Sequence, residues 1–174
     1  MKNLFENITP DDAYYILQRL VENDDDISKK AEDIAEEYFH EVNSNGIAED
    51  VFFELDFLEV EELWDSSGST RYGYVEPGER AYEMVEEVVQ PYIDEMKKLH
   101  NIGQYRNCKE YCIGILKGLM KFNNESTTEF KEWAVDVPDN MMYQVGEEWK
   151  EIQNEEDEIL EMEQIIRELR GDLI

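Results

Sequence analysis

Histidine and cysteine are the side chains of this sequence best suited to metal or nucleophilic chemistry, and the chain has two of each. Glu37 and His40 form a Glu-x-x-His pair on a predicted helix, which is half of the ligand set of a di-iron bundle. The other histidine is His100. The residue three positions before it is Lys97, whereas a second Glu-x-x-His motif would need a glutamate there. We therefore expect no metal centre, and we interpret Glu37 as part of a solvated acidic helix edge.

Cys108 and Cys112 lie one helical turn apart on a predicted apolar stripe. A disulfide between them would close a very small loop and would distort the helix. Metal binding and thiol reactivity are the alternatives, but no histidine has a matching spacing. The pattern favours buried, reduced and unreactive thiols.

Sequence motifs of common catalytic and calcium sites are absent. Asn43–Gly46 resembles part of a calcium loop, but the twelfth position of that loop would be Phe52 in place of the required glutamate. There is no phosphate-binding glycine loop, no nucleophile elbow and no zinc-protease helix. We therefore expect a protein that is not an enzyme, with no catalytic residue, no bound metal and no cofactor.

The stretch 65–78 is the strongest candidate for a binding site, because it combines glycines, aromatic residues and an isolated arginine. Arginine with aromatic residues is typical of binding hot spots, and long ordered loops are often functional. The alternative is an aromatic plug that caps the helices, with Arg71 paired to Asp65 or Glu76. The candidate binding residues are Trp64, Asp65, Arg71, Tyr72 and Tyr74.

These residues must be positioned by helices, because apolar side chains recur at helical spacing through most of the chain. Thr9-Pro10 and Asp24 predict helix starts, Asn45-Gly46 predicts a helix end, and 126–129 (Ser-Thr-Thr-Glu) predicts a capping box. A helix from Ala48 to about Trp64 has a predicted break near Val60. No segment has a convincing strand pattern.

The predicted fold class is all-α: a single domain over 1–174, forming a helical bundle or short α-solenoid of about six to eight helices with one long ordered loop over 65–78. Gly114 and Gly118, four residues apart, predict a close approach of another helix. The stretch Leu99–Leu119 resembles the helical hairpin of tetratricopeptide-repeat proteins, in which a glycine ends one helix and small residues follow at the helix crossing.

A longer stretch, Leu63–Asp65 through Arg71–Pro77 to Gly114–Leu116, resembles the helical region that accompanies some SWIM zinc-finger proteins. That zinc module needs paired cysteines and a Cys-x-His, which this chain lacks. The resemblance therefore implies helical architecture, and the nucleic-acid role of that zinc finger does not carry over to this chain.

Charge limits the partners that the chain can bind. The chain has 44 acidic and 16 basic residues, a net charge of −28, while 97–131 contains seven bases and three acids. The overall charge repels nucleic acid and anionic membranes. We predict that the basic segment is a central helix, with its bases paired to glutamates of neighbours such as Leu160–Leu169.

The sequence predicts an acidic helical scaffold or protein-interaction module, whose partner has a basic or mixed surface. The alternative is a nucleic-acid mimic that occupies the basic site of a partner, using the acids of 147–163 as a row of phosphate-like charges. The first residues lack the pattern of a signal peptide, so we expect a cytoplasmic protein with no membrane partner. The sequence leaves self-association open.

Overall fold

The computed structural model of the protein describes residues 8–38, 42–71 and 73–171. The chain divides into two compact units, Met1–Glu41 and Val42–Ile174, and each is described by itself. The single domain expected from the sequence therefore stays a prediction.

The described residues form eight α-helices, one antiparallel pair of short strands and one 3-10 turn, which confirms the all-α class. The elements are α1 (Pro10–Asn23), α2 (Asp25–Tyr38), α3 (Ser44–Asp56), α4 (Val60–Ser66), β1 (Gly68–Thr70), β2 (Gly73–Val75), α5 (Pro77–Asn101), α6 (Tyr105–Glu125), the 3-10 turn (Phe130–Trp133), α7 (Val137–Ile152) and α8 (Glu156–Arg170).

The first unit is a helical hairpin whose two starts are fixed by side-chain caps. Thr9 Oγ1 accepts a hydrogen bond from the Asp12 N–H at 3.2 Å, and Asp12 Oδ2 accepts one from the Thr9 N–H at 3.1 Å. Asp24 Oδ1 accepts hydrogen bonds from the N–H groups of Asp26 and Ile27. These bonds satisfy donors that the first turn leaves free, so the predicted starts of α1 and α2 are confirmed.

The second unit is built around α6, which packs against α3, α5, α7 and α8. Gly114 and Gly118 lie where α3 crosses α6. A Cβ atom at Gly114 would be 2.6 Å from Ile47 Cβ, and one at Gly118 would be 2.6 Å from Val51 Cβ. Such distances are too short for two carbon atoms, so only glycine permits this crossing. The close approach predicted from the glycine spacing is confirmed, and α3 is the helix that approaches.

Three local predictions were wrong. Gly46 lies in the first turn of α3, whose N-cap is Asn43, and so it does not end the preceding helix. The segment 126–129 does not start a regular helix, because only the 3-10 turn follows it. The stretch 65–78 is not one loop: α4 extends to Ser66, β1 and β2 form a hairpin, and α5 begins at Pro77. The predicted break near Val60 is confirmed, since α3 ends at Asp56 and α4 begins at Val60.

Candidate interaction surface

The hairpin places the candidate binding residues Arg71 and Tyr74 at the surface. Ser69 pairs with Tyr74, and Arg71 lies at the turn between the strands. Gly68 and Gly73 have φ angles of 85° and 140°, a region that glycine tolerates and other residues rarely adopt. The glycines therefore allow the chain to reverse here and to project the turn from the second unit.

Arg71 does not form the ion pair expected of a structural plug. Among the described residues it is paired with neither Asp65 nor Glu76, and its side chain, like that of Asp65, is exposed. The arginine that connects the elements of this region is Arg80 of α5. Its Nε donates to Ser66 Oγ at the end of α4 at 3.0 Å, and its Nη1 lies 2.9 Å from Glu87. The fifth predicted residue, Tyr72, lies outside the described residues.

Trp64 forms a ring contact that the sequence did not reveal. Its ring lies 4.6 Å from that of Trp133, centroid to centroid, in an edge-to-face arrangement at 79°. Both rings stay in part accessible, with 46% of Trp64 and 39% of Trp133 exposed. We call Trp64 and Trp133 the tryptophan pair. Edge-to-face packing is a favoured geometry for aromatic rings and holds both in place.

Two short helical segments, α4 and the 3-10 turn, position this pair. α4 buries Val60 and Leu63 and leaves Trp64 on its open side. The 3-10 turn buries Phe130, and Trp133 lies three residues later, one 3-10 turn further along. The buried residues anchor each segment in the core, so each tryptophan stands on a segment that packs against the core.

A shallow acidic cleft of about 350 Å³ is lined by the first residues of α4 and of the 3-10 turn and by the residues that precede each of them. Val60 and Phe130, which precede the tryptophans on α4 and the 3-10 turn, are part of its wall. Phe57, 81% exposed, lies at its side. We call the tryptophan pair and this cleft together the aromatic edge. The acids that line the cleft are Asp56, Glu59, Glu61 and Glu129.

Three carboxylates of this cleft have no basic partner among the described residues, as is also true of several acids on α6 and its neighbours. Glu59, Glu61 and Glu129 form no ion pair with any residue that the structure describes. Lys131 is close in sequence to Glu129, but its ammonium group donates to the carbonyl oxygens of Asn123 and Ser126 at the end of α6. The aromatic edge therefore combines exposed rings with uncompensated negative charge.

The basic segment, in contrast, is in part neutralised within the second unit. Lys109 Nζ lies 2.7 Å from Glu158 and 2.8 Å from Glu161 of α8. Lys121 Nζ lies 2.6 Å from Glu49 of α3, and 4.6 Å from the centre of the Phe52 ring. The prediction that the bases pair with glutamates of neighbouring helices is confirmed at Lys109 and Lys121. Lys117 instead donates to the amide oxygen of Asn45 on α3 at 3.1 Å.

The acids that we considered for nucleic-acid mimicry are in large part engaged in the same way. Lys97 pairs with Glu148, and Lys150 lies 2.9 Å from Glu147 and 3.0 Å from Glu163. With Glu158 and Glu161, five acids of the predicted row have a basic partner. A paired carboxylate presents a weaker field to solvent than an isolated one.

The two cysteines lie in the core of the second unit, as predicted. Both are free and fully buried, and Cys112 Sγ lies 4.0 Å from Met162 Sδ of α8. Burial raises the pKa of Cys108 to about 12 and also raises that of Cys112, because the thiolate is poorly solvated there. These positions therefore hold protonated, unreactive thiols at neutral pH.

A second cleft, of about 480 Å³, lies where α5 and α6 meet near the start of α8. His100, Lys109, Trp149 and Glu158 are among its lining residues. Because Lys109 is already paired with two glutamates, the cleft holds an internal ion-pair cluster and lacks an available cation at that position.

Within the described ranges, no group of three or more His, Cys, Asp or Glu side chains is placed to hold a metal ion. His40 lies outside those ranges, as does the side chain of Glu37. In the same part of the chain, no helix has both the length and the apolar character needed to cross a membrane.

Comparisons with protein-family models, with curated proteins and with solved structures found no match to this chain. The resemblances to tetratricopeptide-repeat and SWIM-associated proteins therefore stay predictions. The candidate surface is argued from its geometry alone.

Proposed function

We propose that this protein is a non-enzymatic protein-interaction module, and that it binds its partner through the aromatic edge. The observation that carries the proposal is the tryptophan pair, in which two large rings are held in contact and are still 46% and 39% exposed. Tryptophan is among the residues most enriched in binding hot spots, and a rigid aromatic side chain loses little entropy when a partner covers it.

The exposed area of the pair is large enough to anchor a complex. A tryptophan side chain has up to ~250 Å² to bury, so these fractions leave roughly 200 Å² open on the two rings. At ~25 cal/mol per Å², covering that area contributes about 5 kcal/mol before the costs of association. Those costs are of similar size, so the neighbouring cleft must add further contacts.

Nucleic-acid mimicry is supported less well, since five acids of the predicted row have basic partners inside the second unit. A protein partner with a basic or mixed surface fits the unpaired acids of the cleft. We place the protein in the cytoplasm on the sequence pattern alone.

The proposal is tested by comparative affinity purification from the native cell, followed by quantitative mass spectrometry. Trp64→Ala and Trp133→Ala should each lower the affinity for the bound protein by about 30-fold, the loss of ~2 kcal/mol that defines a hot spot. The matched control is Tyr143→Ala on α7, which removes a 65% exposed aromatic ring away from the edge. Equal recovery of all co-purifying proteins with both tryptophan variants, which circular dichroism should show to be folded, would argue against the proposal.

A further inference from the structure

The chemistry of the partner can be inferred from the aromatic edge, an inference that rests on the proposed function. We propose that the edge binds an arginine-bearing basic segment of the partner protein, with one guanidinium group stacked on the tryptophan pair and others beside the carboxylates of the cleft. Trp64 and Glu61 lie on α4 and Trp133 lies on the 3-10 turn, while Glu59 and Glu129 are the residues that directly precede these two segments.

Charge complementarity supports this occupant. Glu59, Glu61 and Glu129 line one cleft, and among the described residues none has a basic partner. Asp56 adds a buried Oδ1 atom that accepts no hydrogen bond from the described part of the chain. Buried acceptors normally have a donor, so a guanidinium group that entered the cleft would supply donors where the protein has none.

The tryptophan pair distinguishes arginine from lysine. A guanidinium group is planar, is weakly hydrated and stacks on aromatic faces, whereas an ammonium group keeps its water more strongly. The carboxylates of the cleft can accept the N–H groups of the other guanidinium groups in charge-assisted hydrogen bonds. At a partly exposed ring, such a cation–π contact is worth about a two- to fivefold gain in affinity.

The probe is nona-arginine, compared with nona-lysine and with a neutral proline-rich nonapeptide. Indole N–H signals in a ¹H–¹⁵N spectrum report on the site directly, since the chain has three tryptophans and Trp149 is only 1% exposed. We expect nona-arginine to shift the signals of Trp64 and Trp133 saturably, to leave that of Trp149 in place, and to bind more tightly than nona-lysine.

Two triple variants test whether the local acids matter beyond the overall charge. Replacing Glu59, Glu61 and Glu129 by glutamine should weaken nona-arginine binding about tenfold at low salt, because three unscreened partners are lost. The control removes three charges that have no basic partner among the described residues, by the substitutions Glu151→Gln, Glu156→Gln and Asp157→Asn. It should change the affinity by less than about twofold.

Any result other than those expected above overturns the inference about arginine. If the control variant loses as much affinity as the cleft variant, or if the two indole signals do not move, nona-arginine binds only to the general negative charge. If the proline-rich peptide shifts Trp64 and Trp133 and nona-arginine does not, the edge takes a neutral segment. That result would end the inference about arginine and leave the proposed function intact.

Discussion

Replacing Gly118 by alanine tests the packing at the centre of the second unit. The added Cβ would lie 2.6 Å from Val51 Cβ, 2.8 Å from Val51 Cγ1 and 2.9 Å from the carbonyl oxygen of Ala48. Carbon atoms pack best at about 3.5–4.0 Å, so α3 and α6 would have to separate by about 1 Å. A rotamer change cannot relieve the clash, because one obstructing atom belongs to the backbone.

Two opposed effects determine the size of the change. Overpacking of a buried site costs about 1–3 kcal/mol. Alanine in a helix interior gains about 1 kcal/mol over glycine. Since Val51 is fully buried and the backbone of α3 must move, we expect a net loss of about 1–2 kcal/mol. With a urea m-value of ~2 kcal/mol/M, the unfolding midpoint falls by about 0.5–1 M.

The assay is urea unfolding followed by circular dichroism. The matched control is Gly78→Ala in the first turn of α5, where an added Cβ meets nothing within 4 Å. That variant should be as stable as the wild type or more stable by up to about 1 kcal/mol. A Gly118→Ala protein with the stability of the control would refute the close crossing of α3 and α6.

Further predictions concern the ion pairs and the thiols. Lys109→Met should lower the free energy of unfolding by about 1–2 kcal/mol, because it leaves two glutamates of α8 without their shared cation. Lys98→Met, which loses only a surface pair within α5, should cost less than about 0.5 kcal/mol in the same unfolding experiment. Cys108 and Cys112 should react with Ellman's reagent only after unfolding, and a fast native reaction would contradict their burial. Burial raises the pKa of Cys108 from 9.0 to about 12, so its contribution to stability is complete below pH 9 and is lost as the pH rises toward 12. Unfolding measured between pH 8 and 12 should therefore show a shallower decline for Cys108→Ala than for the wild type.

The features that could be predicted from the sequence are mainly those that depend on residues close together along the chain. The starts of α1 and α2 follow from Thr9 and Asp24, because a cap acts within one helical turn. The spacing of the two glycines in α6 is also a local pattern, and it predicted a close crossing. Only the structure shows that α3 is the helix that crosses there. The pairing of Lys109 with α8 was predicted from charge, since a central basic helix must face acids in so acidic a chain.

The aromatic edge was only half predicted. Trp64 was a candidate residue, but Trp133 was not, and the capping box predicted at 126–129 does not start a regular helix. Their contact joins segments that are far apart in sequence, and no local pattern specifies such a pairing. The hairpin was missed because its strands have three residues each and no Asn-Gly or Asp-Gly dipeptide stands between Thr70 and Gly73 in the sequence.

The most direct test of the aromatic edge is site-specific photo-crosslinking in the native cell. A benzoyl-phenylalanine side chain would be placed in turn at Trp64, at Trp133 and, as the control, at the exposed Tyr143. We predict that positions 64 and 133 crosslink to the same protein and that position 143 does not. Crosslinking of that protein at position 143 alone would show that the partner binds a different face and would contradict the account.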